Sequence, residues 1–181
     1  MPLYTIGYSN HPIDRFLGLL LDHGIRLLVD VRSTPYSRFN PQFNQKALEQ
    51  ALHTRGIVYY YLGDVLGGRP KDPACYIHNT VPTKADDFMH EIDYPAVMRQ
   101  PWFTQGIDSL LELAGRQLTC ILCSEKDPAH CHRHHLIARY LLAEHPKMTI
   151  WHILPDSSLI NAGFLLGPAS HTDLEQLSFK V

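Results

Sequence analysis

Five short apolar runs alternate with amphipathic stretches, and this alternation restricts the chain's fold more than any other feature. The runs are Leu3–Tyr8, Arg26–Arg32, Ile57–Leu62, Leu118–Leu122 and Thr149–Leu154. Each reads as a strand, and most are apolar on both faces. Between them lie helical stripes: Ile13, Phe16, Leu17 and Leu20; Ala47, Leu48, Ala51 and Leu52; Phe103, Ile107, Leu110, Leu111 and Ala114; Leu136, Ile137, Tyr140 and Leu141. Asn10 or His11 with Pro12 marks the first helix start, and Asn44 the second. Gly24, Gly56 and Gly115 mark helix ends. Strands apolar on both faces need cover on both faces. The expected fold is α/β: a three-layer, Rossmann-like, mostly parallel five-stranded sheet with helices on both faces. The expected strand order is 3-2-1-4-5, with 2-1-3-4-5 as the competitor.

At 181 residues one domain spanning 1–181 is expected. It carries a long insertion at about 63–100, with a weak helical segment around Ala85 to Ile92. Such a connection exceeds a plain linker and is often functional. Net charge is -2, which gives no global pull toward nucleic acid or anionic membrane. No apolar run approaches the ~20 residues of a membrane span. The N-terminus carries no basic, apolar leader, so the cytoplasm is the expected compartment. The four cysteines are then reduced thiols rather than a disulfide framework. Oligomeric state leaves no mark in the sequence.

Chemistry concentrates in 123–135, Cys-Ser-Glu-Lys-Asp-Pro-Ala-His-Cys-His-Arg-His-His. This stretch joins the fourth strand to a helix, a place where α/β sheets bind anions. Other strand ends reach the same edge with Ser9, with Arg32 and Arg38, and with Asp64, Gly67, Gly68 and Arg69. Arg32, Arg38, Arg69 and Arg133 thus form a candidate anion-binding rim, with Ser9 as a hydrogen-bond donor. The opposing reading is that these arginines pair with Asp30, Asp64, Glu125 and Asp127 and only close loops. Asp30, among apolar neighbours, needs a partner, and its expected role is to orient Arg32 or a loop amide. Cys123, Glu125 and Cys131 are the candidate catalytic residues, the cysteines as nucleophiles and Glu125 or Asp64 as acid/base. Cys120 and Cys123 face opposite sides of a strand, so their C-x-x-C spacing is no redox motif. A metal site of Cys123, His130, Cys131 and His132 is disfavoured. Helical projection back from Ile137 turns His132 and His135 away from the crevice and aims Arg133 into it. No metal ligand is therefore assigned. Glycine-rich dinucleotide and Walker motifs are absent, and no cofactor is indicated.

The pieces Thr5-Ile6-Gly7-Tyr8-Ser9, Asp30-Val31-Arg32 with Pro35, Ser37 and Arg38, Leu66-Gly67-Gly68, and Cys123-x-Glu125 through Cys131-His132-Arg133 resemble the uncharacterised domain-of-unknown-function 488 family. The resemblance runs from residue 5 to about 140. It implies a small bacterial-type α/β domain and carries no agreed activity, substrate or cofactor. The leading expectation is an enzyme, a hydrolase or transferase, acting on a phosphorylated or nucleotide-like anionic small molecule. The alternatives are a nucleic-acid-binding or processing protein, gripping a strand with arginines and tyrosines, and a Cys/His metal or redox site.

Overall fold

The computed structural model describes residues 1–83 and 88–166. Strands β1 (Leu3–Gly7), β2 (Leu27–Asp30), β3 (Val58–Tyr61), β4 (Thr119–Cys123), β5 (Ile150–Ile153) and β6 (Leu159–Asn161) form one sheet. Its order is β3-β2-β4-β1-β5-β6. All neighbours pair in parallel except β5 and β6, which are antiparallel.

The sheet is thus mostly parallel and sandwiched by helices, as expected, but two expectations need correction. A sixth strand follows the fifth. It is three residues long, too short to show a period of two. It is set by a turn in which Leu154 N–H donates to the Ser158 carbonyl and Ser157 takes a φ of 75°. The order also differs from both expected orders, because β4 inserts between β1 and β2. Burial along each strand explains this. Thr119–Cys123 is buried at all five positions, as a central strand is, whereas Val58 and Tyr60 of the edge strand are half exposed.

Helix α1 (Ile13–Asp22) starts after Pro12, and α2 (Gln45–His53) after Asn44. They cover one face through Phe16, Leu17, Leu20, Leu48 and Leu52, packed on Ile6, Leu28, Cys120 and Leu122. The long connection folds into α3 (Gly63–Leu66), α4 (Phe88–Glu91) and α5 (Tyr94–Met98). An isolated bridge joins Tyr76 to Ile92. Part of the helix expected around Ala85, residues 84–87, lies outside the described residues. Helix α6 (Pro101–Arg116) runs one residue past Gly115, the expected end. Together with α7 (Arg139–Glu144) and α8 (Ala162–Leu165), these helices cover the other face, on Leu27, Val29 and Ile121. Alternation along β2 and β4 sends successive side chains to opposite cores. No helix among the described residues is long and apolar enough to cross a membrane.

Register brings the carboxyl ends of the inner strands level. Gly7 lies opposite Cys123, Asp30 opposite Leu122, and Tyr61 opposite Asp30. The loops leaving these strands share that edge.

Candidate functional site

The loop after β4 is pinned from below. Tyr8 N–H donates to the Cys123 carbonyl, and Ser9 N–H to that of Ser124. A Cβ on Gly7 would lie 1.7 Å from the Glu125 carbonyl oxygen, so only glycine lets the loop settle there. Arg133 completes the clamp. It is fully buried, and its guanidinium donates to the carbonyls of Glu125 (2.6 Å) and Lys126 (3.2 Å). Asp127 then caps the short turn Pro128–His130, accepting from Ala129 N–H and from His130 Nδ1.

Residues Arg133–Ala138 form a π-helical turn that leads into α7. Projection at 3.6 residues per turn therefore misplaces the residues around it, since π-turns bond i to i+5. His132 does not face away. Its Nε2–H donates to the Val31 carbonyl at 3.1 Å, and its Nδ1 lies 3.5 Å from Cys123 Sγ and 3.9 Å from Cys131 Sγ. A Cβ at Gly68 would sit 2.7 Å from this ring, so glycine here allows the third-strand loop to pack flat against the imidazole. His135 donates to the Ala129 carbonyl and stacks near Tyr94.

Cys123, Cys131 and His132 form the floor of a cleft of about 600 Å³. Both thiols are nearly inaccessible, at 4% and 1%. The hydrogen bond from Cys131 pulls the Cys123 thiol well below its usual range. Burial opposes this, while His132 and Arg133 assist it. Burial, and then the neighbouring Cys123, push the Cys131 thiol well up. Burial works against a charged His132, but Cys123 and the Val31 carbonyl outweigh it, so its pKa is raised. Cys123 is therefore the sulfur that ionises first.

One wall is Arg32. It is 4% exposed and forked onto fully buried Asp30, with Nη2 2.6 Å and Nε 2.9 Å from the two carboxylate oxygens. Asp30 also accepts the Arg32 N–H and the Tyr59 hydroxyl. It thus plays the orienting role expected of it. Arg32 Nη1 is buried without a hydrogen-bond partner among the described residues. Arg69 also lines the cleft. Its N–H is tied to Ser33 Oγ and its guanidinium lies over the Phe88 ring. Ser33, Ser124, Glu125 and His130 add polar groups, and Tyr36, Phe88 and Tyr94 add rings.

The cleft gathers five of the eight residues singled out from sequence: Cys123, Glu125, Cys131, Arg32 and Arg69. Three others lie elsewhere. Ser9, at a φ of 47°, gives its backbone N–H to the Ser124 carbonyl and does not line the cleft. Arg38 stacks over Phe39, an exposed ring. Arg133 holds loop carbonyls. Asp64, the alternative acid/base, is not among the lining residues. Projection turns His132 away from the site; its sequence signal was its place in the Cys123–His135 stretch, as one of the candidate ligands set aside with Cys123, His130 and Cys131.

A family model described as Domain of unknown function DUF488 matches residues 12–141, and the chain belongs to that family. The match takes in β2, β3, β4 and the whole Cys/His turn, but not β1. No curated protein and no solved structure matches the chain.

Proposed function

We propose that this DUF488 member is an enzyme acting on an anionic small molecule, phosphorylated or nucleotide-like, bound in the cleft after β4. The observation that carries the reading is Arg32. Its guanidinium is fixed on one side by Asp30, and its Nη1 is buried without a hydrogen-bond partner among the described residues. A buried donor left unpaired costs about 1–3 kcal/mol, and an anion oxygen is the ligand that removes that cost. Arg69 supplies a second cation, and guanidinium forks match phosphate and carboxylate geometry. Tyr36, Phe88 and Tyr94 offer faces for a flat ring such as a base. The thiol and imidazole cluster on the floor supplies the reacting group beside the anion. Glu125 is the carboxylate available to carry a proton at the rim.

The test is binding of inorganic phosphate and of adenosine 5′-monophosphate to the full chain, followed by backbone amide shifts. Saturable shifts at Ser33, Arg69 and Ser124 are expected, with the nucleotide tighter than phosphate. Arg69→Ala should weaken both by ~10-fold or more, the scale of one charged hydrogen bond. Absence of saturable binding at millimolar ligand, or equal affinity in Arg69→Ala, overturns the reading. Tight, steeply salt-dependent binding of a single-stranded oligonucleotide, with no mononucleotide binding, points instead to a nucleic-acid ligand.

A further inference from the structure

We propose that Cys123, Cys131 and His132 together bind one divalent metal ion of the zinc type, with its fourth position open to the cleft. The inference rests on the cleft reading above and identifies the reacting group on its floor. The donors are the types zinc prefers, two thiols and an imidazole. They converge from the end of β4 and from the residues just before the π-turn. Their ligating atoms all lie within 4.8 Å of one another.

The separations fit one ion. With Zn–S about 2.3 Å and Zn–N about 2.05 Å at tetrahedral angles, sulfur and nitrogen sit about 3.6 Å apart. Here His132 Nδ1 is 3.5 Å from Cys123 Sγ and 3.9 Å from Cys131 Sγ. The two nitrogen–sulfur edges of the coordination polyhedron are thus close to their metal-bound lengths, and the sulfur–sulfur edge is within 4.8 Å. Cys131 and His132 are adjacent in sequence, an arrangement that seldom serves one ion. It works here because the backbone changes course between them. Cys131 is extended, at φ −138° and ψ 141°, and His132 is helical, at φ −59° and ψ −25°.

The support of the histidine points the same way. Its Nε2–H is committed to the Val31 carbonyl, so Nδ1 is the ring nitrogen left facing both sulfurs. A metal-binding imidazole fixed through its other nitrogen is the usual arrangement. Gly68 packs against the ring and limits its rotation.

Three protein donors rather than four, among the described residues, mark the site as catalytic in kind. Structural zinc sites close their coordination shell with protein, whereas catalytic ones keep a position for water or substrate. Above this floor lies the cleft, with Arg32, Arg69 and Glu125 in its walls. An ion there would act as a Lewis acid on an oxygen of the anion that the arginines hold.

The experiment uses the full chain without a histidine tag, stripped with chelator and kept reduced, then titrated with Co²⁺. One equivalent should bind, with sulfur-to-cobalt charge-transfer absorption and the strong visible bands of tetrahedral cobalt. Cobalt should protect Cys123 and Cys131 from iodoacetamide. Cys131→Ser and His132→Ala should each lower cobalt affinity by more than ~100-fold, beyond the 10–100-fold typical of outer-shell changes. Cys75→Ala, at a thiol away from the cleft, should leave affinity unchanged. Circular dichroism checks that each variant folds, and the wild-type absorption and protection stand without any variant. Absence of charge-transfer bands, or full alkylation of Cys123 in the presence of cobalt, overturns the proposal. So does a Cys123–Cys131 disulfide in air-purified protein that leaves no cobalt-binding form after reduction. Phosphate titration of the metal-free protein separates the two readings. Phosphate binding without cobalt binding removes the metal alone. Cobalt binding with tetrahedral bands but no phosphate binding removes the anion cleft alone.

Discussion

Arg133 donates to the Glu125 carbonyl at 2.6 Å, directly above the spot where Gly7 has no side chain. A buried cation thus holds the shape of the loop that carries Ser124 and Glu125, while β1 supplies the flat surface beneath. This makes Arg133 a positioning residue, and its substitution acts on the loop before it acts on any ligand.

Arg133→Met keeps the aliphatic stem and removes the guanidinium. Two carbonyl contacts are lost, and hydrogen bonds to charged groups are worth about 1.5–3 kcal/mol each. We expect a loss of about 3 kcal/mol, read as a lower urea midpoint at unchanged slope. A stability equal to wild type would show that the loop holds itself.

Two imidazoles sit inside the fold as a chain, Thr5 Oγ1 to His152 Nδ1 at 2.7 Å and His152 Nε2 to His134 Nδ1 at 3.0 Å. Burial lowers both pKa values, to about 4 for His134, with His135, Arg133 and Arg139 adding to it, and to about 3 for His152, with His134 and Arg133 adding. In the unfolded chain both titrate near about 6.5. Below that pH the unfolded state binds protons that the folded state refuses, so stability falls as pH drops from about 6.5 toward 4. The slope approaches about 1.4 kcal/mol per pH unit for each imidazole. Urea midpoints from pH 8 to pH 4.5 should be flat at first and then fall. A flat profile throughout would contradict the neutral pair.

Thiol reactivity should be sharply uneven in the metal-free protein. Cys123 is held toward the thiolate by Cys131 and His132, whereas burial raises the Cys75 thiol to about 11 and the Cys120 thiol well above its usual range. Peptide mapping after brief iodoacetamide treatment at pH 7 should find label on Cys123 first. His132→Ala should slow that labelling by ~10-fold, the effect of about one pKa unit. Equal labelling of Cys123 and Cys75 would contradict the assignment.

Much of this arrangement was legible in the chain. Five of the six strands follow from apolar runs. The Asp30–Arg32 pair follows from one carboxylate among apolar neighbours that had to find a cation. The strand order did not follow, because which runs pair is set by their packing and not by local pattern. β6 was too short to carry a period. The site was legible in position and misread in detail for one reason: the residues after Cys131 begin with a π-turn. Helical projection sends His132 outward and Arg133 into the crevice; the turn brings His132 onto the cleft floor and puts buried Arg133 on the loop carbonyls instead. Arg32 and Arg69 could be named from the strand-end rule alone, but that rule also brings in Ser9, whose backbone N–H pins the loop, and Arg38, which stacks over an exposed phenylalanine.

The central claim is that the cleft lined by Arg32 and Arg69 holds an anion over the Cys123, Cys131 and His132 floor. A crystal structure grown with millimolar adenosine 5′-monophosphate tests it most directly. The account predicts phosphate density within hydrogen-bond distance of Arg32 Nη1, in the cleft that Arg69 also lines. A structure in which Arg32 Nη1 meets only water or protein, with the nucleotide absent from the cleft, would contradict it.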